Sequence, residues 1–80
     1  MSCITVKDEL YGVPQRDFYV KNHQFQVETL KVYYPGSVSL QCLDNNGRLV
    51  GLDIIDGKIQ LISHIKKYTT FYPPINKTIK

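Results

Sequence analysis

Two short turn signals bracket the most regular stretch of this chain and constrain it more than any other feature. Asp44-Asn45-Asn46-Gly47 and Asp56-Gly57 supply residues that tolerate positive φ, as tight hairpin turns require. The segments around them alternate. Val38, Leu40 and Cys42 alternate with Ser39 and Gln41 before the first turn, and Val50, Leu52 and Ile54 alternate between the two turns. Ile59, Leu61 and Ile65 share one parity after the second. Period-two alternation marks a strand with one buried face, so the spacing predicts a three-stranded antiparallel meander. Gly51 sits inside its middle strand on the face opposite Val50 and Leu52, which predicts a bulge or a bend there.

Tyr68-Thr69-Thr70-Phe71-Tyr72 is β-branched and aromatic and reads as a further strand. Pro73-Pro74 ends it, because neither residue has an N–H to give to a ladder. Residues 1–74 form one β-rich domain on this reading, and residues 75–80 an extended basic C-terminal tail.

The first half is less regular. Cys3-Ile4-Thr5-Val6 reads as a strand, and Thr5, Asp8, Gly12 and Pro14 have the order of a short capped helical turn after it. Residues 17–25 and 27–34 are rich in β formers and are read as strands. Val20, Val27, Leu30 and Tyr34 also fit helical spacing, so a helix is the alternative for residues 15–34. The apolar parity changes between Val27 and Leu30, which predicts a break near Glu28-Thr29. Five or six short strands must bury a face and manage their edges. The expected fold is mainly β: a small antiparallel barrel or strongly curled sheet, SH3-like or OB-like, with one short N-terminal helical turn.

Eighty residues make one domain near the lower size limit for folding without staples. Nearly every apolar side chain is needed for the core, which leaves little room for a deep catalytic cavity. Cys42 shares the inward parity of Leu40, where a thiol is inert, and no histidine spacing points to a nucleophile. Asn46-Gly47 and Asp56-Gly57 are isolated turn glycines, not a phosphate loop. No enzymatic activity and no cofactor are expected. Cys3, His23, Cys42 and His64 are spread along the chain, whereas structural zinc sites take their ligands in close pairs, so no metal is expected either. With two cysteines, no leader-like segment and no long apolar run, the expected location is the cytoplasm, away from a membrane.

The formal charge of +3 is unevenly placed. Residues 1–40 balance four basic against four acidic side chains, while residues 41–80 hold six against three. From Gly57 onward there are five lysines and no carboxylate, a segment drawn to acidic surfaces. Lys66, Lys67 and Lys77 are interleaved there with Tyr68, Phe71 and Tyr72. Parity puts Tyr68 and Tyr72 on one face and Phe71 on the other. With Phe71 inside, the two tyrosines stand on the surface. Tyr33 and Tyr34 are adjacent, so a strand would expose one of them, and tyrosine is enriched at interfaces.

The candidate binding residues are therefore Lys58, Lys66, Lys67, Tyr68, Tyr72, Lys77, Tyr33 and Tyr34. They suit a non-catalytic binding module acting through protein–protein contact, as an inhibitor or adaptor of a larger protein, with a seam between copies as a related use. The alternative is a single-stranded RNA or DNA binder in which lysines neutralise phosphates and tyrosines stack on bases. Asn46-Gly47-Arg48-Leu49-Val50-Gly51, following an alternating strand, resembles the strand–turn–strand arrangement of Sm-like RNA-binding barrels. It covers under a quarter of the chain in generic hairpin chemistry and assigns no family.

Overall fold

The computed structural model describes residues 2–74; the tail expected at residues 75–80, with Lys77, lies outside them. In chain order the elements are β1 (Ser2–Lys7), β2 (Arg16–Val20), β3 (Gln24–Gln26), α1 (Val27–Tyr33), β4 (Ser39–Leu43), β5 (Leu49–Gly51), β6 (Ile54–Ile55), β7 (Lys58–Gln60) and β8 (Lys67–Phe71). The fold is mainly β, as expected. Its strands form two sheets, a five-stranded one ordered β2-β1-β8-β4-β5 and a three-stranded one ordered β3-β7-β6. Among the described residues β2 and β5 are the edge strands of the larger sheet, which is not closed into a barrel.

Both turn signals make hairpins. Cys42 lies opposite Val50 and Leu43 opposite Leu49 across the first, where the Asp44 carboxylate accepts the N–H groups of Asn46 and Arg48. Ile55 lies opposite Lys58 across the second, with Asp56 and Gly57 at φ 53° and 73°, the doubly positive pair of a type I′ turn. The continuous meander does not form. The middle strand stops at Gly51, and after Leu52-Asp53 the chain enters the other sheet, where β7 pairs with β3 instead of with β5. The glycine marks the end of a strand and not a bulge within it.

Gly57 isolates the conformational term. A Cβ built there meets nothing within 4 Å, so Gly57→Ala carries only the cost of a left-handed backbone, about 1–2 kcal/mol. Gly51 has equally open space and no positive φ. Urea titration should therefore show a lower midpoint for Gly57→Ala and an unchanged or higher one for Gly51→Ala; equal losses would locate the cost elsewhere.

The first half departs most from expectation. Residues 17–25 are divided between the sheets by a turn at Asn22 and His23, both at φ 54°, flanked by a bridge between Lys21 and Gln24. Residues 27–33 are helical, not extended. Val27, Leu30 and Tyr34 lie on the buried side, and Leu30 and Tyr34 are fully enclosed. Burying that stripe outweighs the β propensity of Val32, Tyr33 and Tyr34. No helical turn follows β1. Asp8 instead gathers the backbone N–H groups of Leu10, Tyr11 and Val13 into a loop, and the Thr5 hydroxyl donates to Asp17 Oδ1 at 2.8 Å rather than capping a helix.

One pairing is parallel, which the antiparallel expectation did not include. β1 runs beside β8 with Thr5 next to Lys67, Val6 next to Tyr68 and Lys7 next to Thr69. Almost the whole chain forms the connection between them. The pairing places Ile4, Val6, Tyr68, Leu40 and Cys42 on one face, where they form a single core with Phe25, Leu30, Tyr34 and Ile59 from α1 and the small sheet. The opposite face of the large sheet carries no further helix or strand among the described residues, although Ser39 and Gln41 on it are buried.

Candidate functional site

Alternation along the strands assigns that second face to Thr5 and Lys7 on β1, Tyr19 on β2, Lys67, Thr69 and Phe71 on β8, Leu43 on β4 and Leu49 on β5. Lys66 and Lys67 are exposed where β8 begins. With Lys7, Thr5, Gln15 and Leu43 they line an open cleft of about 560 Å³. Lys7 was not among the residues singled out from the sequence. It arrives through the parallel pairing, which joins positions some sixty residues apart and leaves no local signal. Lys58 does not join the cluster. It belongs to the small sheet and lines a hollow with Lys21, Tyr19 and Phe25.

The tyrosines are placed differently from expectation. Parity along β8 holds but the faces are exchanged: Tyr68 is 2% exposed and Phe71 42%. The Tyr68 hydroxyl donates to the Ile62 carbonyl and accepts the Ile62 N–H, closing the loop before β8. Burial raises its pKa, against the opposing effect of the bond with Ile62. Tyr34 is enclosed, and its hydroxyl bonds to the carbonyls of Val6 and Pro14, tying α1 to β1. Tyr33 remains partly exposed on α1, with its ring against Phe18 and the Arg16 guanidinium 4.6 Å from the ring centroid. It does not line the lysine cleft. Of the four candidate tyrosines, Tyr68 and Tyr34 are core residues with occupied hydroxyls and offer no plane to a ligand.

Tyr72 is half-buried and leads to a cluster that sequence reasoning missed. Its hydroxyl donates to Asp8 Oδ1 at 2.5 Å, the Thr70 hydroxyl donates to the same oxygen at 3.0 Å, and Tyr11 packs edge-on against the Tyr72 ring. Burial alone would push the Asp8 carboxyl up. The bonds from Tyr72, Val13, Thr70 and Leu10 outweigh it and bring the pKa down to about 2. Burial and the bond to Asp8 push Tyr72 up to about 12. Both groups are thereby moved away from neutrality, where a general acid or base would need to titrate. The cluster is a lock between the 8–14 loop and β8. Asp8 fits a short capped turn in the sequence because its side-chain partners, Thr70 and Tyr72, lie more than sixty positions away.

Beside the lock, Leu10, Leu49, Phe71, Tyr72 and Pro73 line a second hollow of about 470 Å³, with Glu9 also lining it. Leu43 and Leu49 are 62% and 63% exposed, and they face each other across the β4–β5 hairpin. Cys42 is buried, and burial together with the nearby Asp44 charge raises its pKa, the opposite of an activated thiol. Among the described residues, no group of three or more His, Cys, Asp or Glu side chains is placed to hold a metal ion. No helix among them is long and apolar enough to cross a membrane.

No protein-family model matches this chain, and no curated protein matches it. The class that can be stated is structural: a mainly β domain in which a helix and a small sheet cover one face of a larger open sheet.

Proposed function

We propose that the chain is a non-catalytic binding module of the cytoplasm that acts through protein–protein contact, as an inhibitor or adaptor of a larger protein. Its contact surface on this reading is the uncovered face of the five-stranded sheet. The observation that carries the reading is the company kept on that face: Leu43, Leu49 and Phe71 stand exposed on it with Lys7 and Lys67, while other exposed apolar residues such as Val32 and Ile55 are on α1 and β6. Contiguous exposed apolar surface with cations beside it is the composition of an interface more than of a solvated face.

The nucleic-acid reading keeps the Lys7, Lys66 and Lys67 cleft but loses Tyr68, the aromatic it most needed. Binding through those three lysines alone would give log K a slope near −2 against log salt on a single strand. Titration of single-stranded RNA and DNA at two salt concentrations reads that slope directly.

A photo-crosslinking residue placed at Phe71 or Leu49, in protein expressed in its native host, should give one dominant adduct with another protein. The same residue at Val32, exposed on α1, should not. Adducts at Val32 and none at the sheet positions would overturn the assignment of this face.

A further inference from the structure

The strand registers lay the uncovered face out in rows. Asp17, Thr5 and Lys67 are neighbours across β2, β1 and β8, and Leu43 and Leu49 are paired on β4 and β5, with Leu43 also lining the cleft beside Lys67. In the next row Lys7, Thr69 and Gln41 align, and further along Phe71 lies opposite Ser39. The face is thus divided across the strands. Its β1–β8 side carries Lys7 and Lys67, with Lys66 at the end of the same cleft, and no Asp or Glu lines that cleft. Its β4–β5 side carries Leu43 and Leu49, with buried Gln41 in the next row, and a hollow lined by Leu10, Gln41, Leu49 and Phe71 continues from Leu49 to Phe71.

We infer, resting on the reading of this face as a protein-binding surface, that its occupant is an acidic amphipathic segment of a partner protein. Its carboxylates enter the Lys7–Lys66–Lys67 cleft and its apolar side chains lie on Leu43, Leu49 and Phe71. Charge complementarity selects this occupant. A second copy of the chain docked on this face by a two-fold axis would set the three lysines against their own images or, with the axis along the strands, against Leu43 and Leu49, which do not neutralise them. A nucleic acid would find leucines, which have no stacking plane, next to the phosphate-binding cations.

The spacing is also defined. β8 and β5 are two strand positions apart, roughly 10 Å at about 4.8 Å per strand. An extended segment rising about 3.3 Å per residue covers that distance in about three residues.

The test uses a synthetic peptide with paired glutamates followed, about three positions on, by leucines, its glutamine counterpart, and oligouridylate. Amide shifts are followed by NMR and affinities by fluorescence anisotropy. The expected result is shifts at Leu43, Leu49, Lys67 and Phe71 with the glutamate peptide, and affinity at least about tenfold weaker for the glutamine peptide. Lys66→Glu with Lys67→Glu should abolish binding and Lys66→Gln with Lys67→Gln should weaken it, both with unchanged circular dichroism. Equal affinity of the two peptides, no shift at these amides at millimolar peptide, or tighter binding of oligouridylate at the same amides would overturn the inference. Sequencing the partner peptide crosslinked at Phe71 separates the two levels. An acidic peptide supports both; a neutral or basic one removes the acidic segment and leaves the binding face standing.

Discussion

Replacing Asp8 with alanine is expected to lower the unfolding free energy by about 3 kcal/mol and the melting temperature by roughly 15 °C. The carboxylate accepts from three backbone N–H groups and from the hydroxyls of Thr70 and Tyr72, and Thr70 is fully buried. Bonds to a charged acceptor are worth more than neutral ones, and alanine leaves several donors without a partner at once. For a domain of this size the loss is a large part of the total.

The pH dependence follows from the same bonds. The Asp8 pKa falls from 3.8 to about 2 on folding, so its contribution is complete above about pH 4 and is lost as pH falls toward 2. Tyr72 is raised from 10 to about 12, so the folded state holds a proton that the unfolded chain releases between those values, and stability falls as pH rises through them. Asp8→Asn should flatten the acid limb and shift the alkaline limb toward the ordinary tyrosine value. Urea midpoints measured from pH 2 to pH 11 check both limbs. An Asp8→Asn acid limb parallel to the parent's would show that another carboxylate sets it.

What was legible in the sequence was local. The Asp56-Gly57 turn, the Asp44–Gly47 turn and the β8 strand all follow from neighbours within a few positions, and the structure has both turns in place and β8 one residue earlier, at Lys67–Phe71, than the 68–72 expected. What was not legible depended on partners far along the chain. Val27–Tyr33 has β-forming residues and a helical stripe together, and only the core waiting for Leu30 and Tyr34 decides between them. Asn22-His23 turns the chain with a histidine in the left-handed region, a residue that does not advertise a turn. The β1–β8 pairing determined the rest: it brings Lys7 to Lys66 and Lys67, sets Asp8 beside Thr70 and Tyr72, and turns Tyr68 inward.

That last reversal leads to the second large effect. Tyr68→Ala is expected to cost about 3–5 kcal/mol, the range for removing an enclosed aromatic ring, and to leave little folded protein at physiological temperature. Tyr68→Phe keeps the ring and removes only the hydroxyl, so it should cost about 1–3 kcal/mol by leaving the Ile62 N–H and carbonyl without their partner. The phenylalanine variant also separates a packing role from a recognition role, because phenylalanine stacks on a base as well as tyrosine does and neither ring is presented to solvent here. Its unfolding midpoint should fall while its affinity for the glutamate peptide and for single-stranded RNA, measured on folded protein, stays that of the parent. An unchanged midpoint with weakened RNA binding would return Tyr68 to the surface and make the lysine cleft a nucleic-acid site. A lowered midpoint with unchanged binding leaves recognition to the exposed leucines, Phe71 and the lysines around them.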